Sequence, residues 1–302
     1  MDFYYVISLL FNYTSVINLK VWYIVKVSFI EPTSELTKIV KKYIIIESLE
    51  EYEKLWILPS TGKLILFNSG INIFINRYHS NEETSVLPKE FSVTRKVDEI
   101  IQLSVANAEL KFPIFGVELF STACTRLFSF DNRAVTDGHV LLESCLKPTG
   151  ISFEKLYEID GIDEQISYIE KGFLSLKEKA YPVESTYTVI ENIIEYILNT
   201  LHKVNVSDIL DKFEYSRTSL ERDFKKTTGY TAKEYIQIMR FCDIFKDLIV
   251  NGYDYMKLEY KFFDQSHMNK AFKKFIDIPP SKLQAFVQEN NIEIYQLQKT
   301  YE

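Results

Sequence analysis

Apolar residues follow two rhythms along this chain. Up to about residue 146 they come mostly in short runs, and beyond it they recur every three or four positions, as on one face of a helix. In the first part, Leu36, Ile39, Val40 and Tyr43 are spaced like one face of a short helix after Glu31-Pro32-Thr33-Ser34. Residues 63–67 and 71–75, separated by a turn at Asn68-Ser69-Gly70, predict a hairpin. FPIFGVELF at 112–120 is another strand-like run, whereas 121–129 and 137–146 are patterned as helices. An amphipathic helix follows over 162–179, with Ile166, Ile169, Phe173 and Leu176 on one face, and then a polar bridge at 177–182.

Residues 1–30 are apolar and aromatic, but Asp2, Asn12, Asn18, Lys20 and Lys26 break the run short of a membrane span. Without a basic start or a small-residue cleavage site they do not make a signal peptide. They are expected to be an extension: an added strand, a poorly ordered segment or a mis-started reading frame.

The C-terminal third contains a repeat. Shifted by 48 residues, Ser216-Arg-Thr-Ser-Leu-Glu-Arg-Asp-Phe-Lys-Lys226 falls on Asp264-Gln-Ser-His-Met-Asn-Lys-Ala-Phe-Lys-Lys274. Each copy opens with an N-cap residue, Ser216 or Asp264, able to accept from a free helix N–H. Each spaces large apolar groups four apart (Leu220 and Phe224; Met268 and Phe272), carries a cation between them (Arg222, Lys270) and ends on Lys-Lys. Short helical segments precede both, at 206–213 and 255–260, so the pattern is helix-turn-helix twice. Between them runs a long helix with a Thr231/Glu234 capping box and a stripe of Tyr235, Met239, Cys242, Phe245 and Leu248, closed by Gly252. Pro279-Pro280 starts a last helix.

Composition narrows the function. The 302 residues are 46% apolar and 25% charged, as in a folded chain of one to two domains. Only 9 glycines occur, and no GxGxxG, G-x-S-x-G or HExxH motif is present. The histidines His79, His139, His202 and His267 are scattered, and Cys124, Cys145 and Cys242 form no CxxC pair, so no metal, cofactor or catalytic group is predicted. Cys124 and Cys145 are taken as small buried hydrophobes, and Arg126 and Arg133 as surface or ion-pair residues. The chain carries a net charge of −7. Residues 216–282 reverse that sign, with 13 Lys/Arg against 9 Asp/Glu. A basic segment within an acidic chain is the footprint of phosphate-backbone binding.

Residues 186–287 resemble the DNA-binding domain of the AraC/XylS-type transcription regulators. The likeness is carried by Phe262-Phe263-Asp264-Gln265-Ser266-His267-Met268, Ala271-Phe272-Lys273-Lys274-Phe275 and Pro280-Ser281, and by Ser216…Leu220-x-Arg222-x-Phe224-Lys225-Lys226-x-x-Gly229. Residues 31–146 are similar to an N-terminal domain of some of these regulators, through Glu31-Pro32, Leu58-Pro59 and Phe115-Gly116-Val117-Glu118-Leu119. The chain departs from the pattern at Glu214 and Lys261, where turn glycines are usual, at Leu210 and Lys257, where a small Ala is usual, and at Asp277, a frequent Gly.

The expected fold class is an α+β N-terminal domain followed by an all-α DNA-binding domain with two helix-turn-helix units joined by a long helix. Its expected divisions are 1–30 extension, 31–182 regulatory or dimerising, 183–290 DNA-binding and 291–302 tail. The resemblance implies a bacterial, cytoplasmic regulator engaging double-stranded DNA. RNA polymerase, a small-molecule or protein effector and a second copy of the chain are its further partners; no cofactor and no membrane are called for. With Leu220 and Phe224 facing the core, base contacts are assigned to Thr218, Glu221 and Arg222, and in the second unit to Gln265, Ser266, Asn269 and Lys270. Arg217, Lys225 and Lys273 are assigned to phosphates, which position the protein without reading sequence. His267 is assigned either a backbone contact or packing. The altered turn and packing residues leave a second reading open, an interaction protein whose helix-turn-helix units no longer bind specific DNA.

Overall fold

The computed structural model describes residues 26–48, 55–67, 73–77, 83–86, 91–93, 100–105, 114–128, 140–141, 155–156, 158–179, 185–253, 265–290 and 292–294. Two sheets make up its first part. One contains β1 (Lys26–Ile30), β2 (Val40–Ser48), β4 (Lys63–Phe67), β7 (Phe91–Val93), β9 (Ile114–Leu119) and β10 (Val140–Leu141), in the order β1-β2-β9-β4-β7-β10. The other contains β3 (Leu55–Ile57), β5 (Ile73–Arg77), β6 (Glu83–Val86), β8 (Ile101–Val105) and β11 (Glu293–Ile294), in the order β11-β3-β8-β5-β6.

The six-stranded sheet is covered on both faces, which explains its unbroken apolar runs. Successive strand side chains point to opposite faces. On β2, Tyr43 and Ile45 join the core that also holds residues of α1 (Ala123–Phe128) and α2 (Ile162–Lys179). Ile44 and Ile46 join the core shared with Leu55 and Ile57 of β3 and Leu103 of β8. β4 divides in the same way, with Ile65 and Phe67 on one side and Leu64 and Leu66 on the other. Gly116, between β2 and β4, supplies close approach: a Cβ there would lie 3.3 Å from the Ile65 carbonyl oxygen and 3.3 Å from Leu66 Cδ2. Buried Glu170 ties α2 to the sheet, accepting from the Thr33 N–H at 2.9 Å and the Tyr43 hydroxyl at 3.2 Å.

Three sequence expectations change here. Residues 33–40 make only tight turns, with Leu36 N–H on the Thr33 carbonyl and Ile39 N–H on that of Leu36, before β2 begins at Val40. Leu36, Ile39, Val40 and Tyr43 are all fully buried, so their spacing marks burial rather than a helix. β4 and β5 are not a hairpin: β4 pairs with β7 and β9, and β5 with β6 and β8. A run such as KLILF, buried at every position, has no alternation to fix which sheet it joins. Val140 and Leu141, patterned as helix, pair antiparallel with Val93 and Ser92. Within the segment expected to be an extension, with an added strand among its readings, β1 pairs along Val27–Ile30 with β2.

The second part is helical: α3 (Ser185–Asn199), α4 (Val206–Phe213), α5 (Arg217–Thr228), α6 (Ala232–Asn251), α7 (Gln265–Phe275) and α8 (Pro280–Glu289). Its core is built on Ile193, Ile197, Leu220, Phe224, Phe241, Phe245, Phe272 and Phe275. Trp56, Leu58 and Ile100 from the strand region belong to the same core. The two parts also meet through polar contacts. The Tyr230 hydroxyl donates to the Ser60 carbonyl at 2.9 Å, Cys242 Sγ to the Pro59 carbonyl at 2.8 Å, and Thr61 Oγ1 lies 3.6 Å from Met239 Sδ. Burial pushes the Cys242 thiol up to about 12, so it stays neutral. After α8 the chain returns to the sheet, where Glu293 and Ile294 pair in parallel with Leu55 and Trp56. The helical part thus ends on a strand that it lends to the five-stranded sheet. Among the described residues no helix is long and apolar enough to cross a membrane.

Candidate nucleic-acid interface

The first helix-turn-helix unit is α4, a turn at Glu214–Ser216, and α5. Glu214 takes the left-handed conformation, φ 54°, at the position where the sequence lacks a turn glycine. The turn therefore keeps its backbone and carries a Cβ in a disfavoured region. Such a residue costs roughly 1–2 kcal/mol, and glycine adds unfolded-state freedom worth about 0.4–1 kcal/mol. Glu214→Gly is expected to raise stability by up to about 1 kcal/mol, measured as a higher urea midpoint; a lower midpoint would show that the turn holds no such strain. Asp277 also sits at φ 54°, as its replacement of a frequent glycine implied.

Local chemistry fixes α5. Ser216 Oγ accepts from the Ser219 N–H at 3.1 Å, and Gly229, at φ 84°, ends the helix with its N–H on the Lys225 carbonyl. Leu220 and Phe224 are buried, and Phe224 meets Tyr235 of α6 edge-on at 5.5 Å. Arg217, Thr218, Glu221, Arg222 and Lys225 are all exposed. The five residues assigned to DNA in this unit therefore share the solvent side of one helix, with basic Lys225 and Lys226 in its last turn.

In the second unit α7 carries Gln265 and Ser266 in its first turn, and Asn269, Lys270 and Lys273 are exposed. Phe272 and Phe275 are buried against Phe241 of α6, at ring distances of 5.0 and 4.6 Å. Lys274, the second lysine of its pair, donates to Gln237 of α6 at 3.3 Å. The short helix expected at 255–260, which includes Lys257, and the turn before α7 with Lys261 and Asp264 lie outside the described residues, as do the side chains of Gln265, Ser266 and His267.

Between the units, α6 starts at the predicted capping box. The Glu234 N–H donates to Thr231 Oγ1 at 3.2 Å, and the Thr231 N–H to Glu234 Oε2 at 2.8 Å. Its 20 residues span about 30 Å. Arg240, counted among the basic residues, is turned away from such a surface: its Nε donates to the Leu201 carbonyl at 2.7 Å and its Nη2 to that of Val204, holding the loop before α4. His202 reaches Asp243 at 2.7 Å and ties the same loop to α6.

Sequence reasoning missed a half-buried charge cluster beside α6. Glu118 Oε1 lies 3.2 Å from Lys41 Nζ and 3.4 Å from Ser60 Oγ, and its Oε2 lies 3.8 Å from Lys42 Nζ. Burial works against its charge, but the two ammonium groups hold the carboxyl below its ordinary range. Lys41-Lys42 is visible in the sequence, but its carboxylate partner is 77 residues away.

α5, capped at both ends, and α7 each present exposed polar residues and both pack on one long helix, as the recognition helices of a double helix-turn-helix protein do. The helix-turn-helix domain family matches residues 209–285, which span both units. The HTH-type transcriptional activator AarP of Providencia stuartii is 30% identical over 97 residues, covering 31% of this chain and 72% of that protein. The multiple antibiotic resistance protein MarA of Escherichia coli K12 is 28% identical over 96 residues, covering 31% and 76%. Among solved structures, unsaturated fatty acid-bound ToxT from Vibrio cholerae aligns over 80% of this chain and 94% of that one, with a TM-score of 0.39 and 14% identity. The chain belongs to the AraC/XylS-type family of DNA-binding transcription regulators.

Proposed function

We propose that the protein regulates transcription by binding a specific DNA sequence, with α5 and α7 entering successive major grooves on one face of the duplex. The observation that carries this reading is the exposed row Arg217, Thr218, Glu221, Arg222 and Lys225 on the side of α5 opposite buried Leu220 and Phe224. The length of α6, about 30 Å, is close to the roughly 34 Å of one turn of B-DNA. Arg222 and Lys270 suit guanine, Gln265 and Asn269 suit adenine, and Glu221 suits the cytosine amino group. Thr218 and Ser266 hydroxyls serve either kind of base edge, while Arg217, Lys225 and Lys273 hold phosphates. Residues 31–182 sense an effector or pair two copies, 183–290 bind DNA, and RNA polymerase is the partner of the bound complex. The left-handed turn at Glu214 favours this reading over a degenerate interaction protein, because the loss of a glycine there has not rebuilt the turn.

Selection of bound duplexes from a random pool tests it: a defined motif supports specific recognition, and binding only at low salt without a motif overturns it. Arg222→Ala is expected to relax preference at one base pair by roughly 1–3 kcal/mol. Lys273→Ala is expected to weaken all duplexes alike and to reduce the salt slope by about one phosphate contact. Equal effects of both changes on specific and random DNA would show the roles to be misassigned.

A further inference from the structure

The base-reading residue Arg222 is held by its neighbour. Its Nε donates to Asp223 Oδ1 at 2.7 Å and its Nη2 to Asp223 Oδ2 at 3.3 Å, a two-point fork. The two ends differ in exposure: the Arg222 side chain is 61% exposed and that of Asp223 only 13%. Tyr215, in the turn that leads into α5, lies near both. Burial and the Asp223 charge push its phenol pKa up, and Arg222 opposes them. The carboxylate is thus seated on the protein side of the pair and the guanidinium projects from the helix.

We propose that Asp223 is a positioning residue for base recognition, holding the Arg222 guanidinium in the orientation in which it meets guanine. This rests on the reading that α5 lies in the major groove. The fork engages the edge formed by Nε and Nη2. A guanidinium has a second donor edge, Nη1 with Nη2, which this carboxylate does not face and which matches guanine O6 and N7. Fixing a long side chain before DNA arrives reduces the freedom lost on binding. The same carboxylate repels phosphates, so it lowers affinity for random DNA while it sharpens the choice of base. A solvated ion pair without this role also repels phosphates but has no effect on base choice.

The experiment selects bound duplexes from a random pool with the full chain carrying no change, Arg222→Ala, Asp223→Asn, or both. Asp223→Asn is expected to lose preference for guanine at the one base pair affected by Arg222→Ala, approaching the roughly 5- to 150-fold discrimination of a bidentate pair. Binding to random duplex strengthens in the same variant, and the double variant loses nothing further at that base pair. Asp223→Ala, carried alongside with a thermal melt of each protein, must shift the same base pair. Retained guanine preference in the Asp223 variants, or weakening of all sequences alike, overturns the proposal. Failure of the underlying reading has a different signature: the unchanged protein enriches no motif, or Arg222→Ala leaves the motif intact, and the proposal falls with it.

Discussion

Trp56→Ala is expected to lower the stability of the whole chain by about 3–5 kcal/mol, and the strand and helical parts are expected to shift together in a urea melt. Trp56 sits on β3 but is 2% exposed within the core of the helical part. Its ring lies 5.9 Å from that of Phe286 on α8, and its backbone pairs in register with Ile294. Removing it opens a cavity at the point where α8, β11 and the five-stranded sheet converge. The same contacts predict that a fragment starting at residue 183 melts below the full chain. It lacks Trp56, Leu58 and Ile100, and β11 has no strand beside it. Far-ultraviolet circular dichroism and fluorescence melts, run on both proteins, check this. A Trp56→Ala midpoint equal to that of the unchanged protein would show the junction to be loosely packed.

The helical third was legible because its information is local. Ser216, Gly229, Thr231 with Glu234 and Pro280 each act on backbone within a few residues, and each stands at the end of a helix where its chemistry belongs. The exposed row of α5 followed from the burial of Leu220 and Phe224 alone. The strand region was less legible because a sheet covered on both faces removes the alternation from which register is read. Ile44, Ile45 and Ile46 are all buried, yet on two different cores. The junction was not legible at all: nothing near Trp56 in sequence points to Phe286 or Ile294. The Arg222–Asp223 fork was missed for a different reason. Adjacent opposite charges on a helix are ordinarily both solvated, and only the fold shows that one of them is nearly covered.

Phe241→Ala is expected to cost a further kind of coherence, that between the two proposed recognition helices. Its ring is fully packed in α6, with centroids at 5.7 Å from Phe245, 5.0 Å from Phe272 and 4.6 Å from Phe275. These contacts hold α7 against the connecting helix. α5 is held to α6 elsewhere, through Phe224 and Tyr235. Truncating Phe241 is expected to destabilise the protein by about 3–5 kcal/mol, whereas Phe241→Leu, which keeps more of the volume, is expected to cost less. Because the cavity lies on the α7 side, the loss in DNA selection is expected to fall mainly on the half of the proposed motif assigned to Gln265, Ser266, Asn269 and Lys270. The half assigned to Thr218, Glu221 and Arg222 is expected to be retained under conditions where the variant remains folded. Selection of bound duplexes by the two Phe241 variants, with their melts, measures this. Equal loss of both halves in a folded variant would mean that the two recognition helices are not positioned independently by α6.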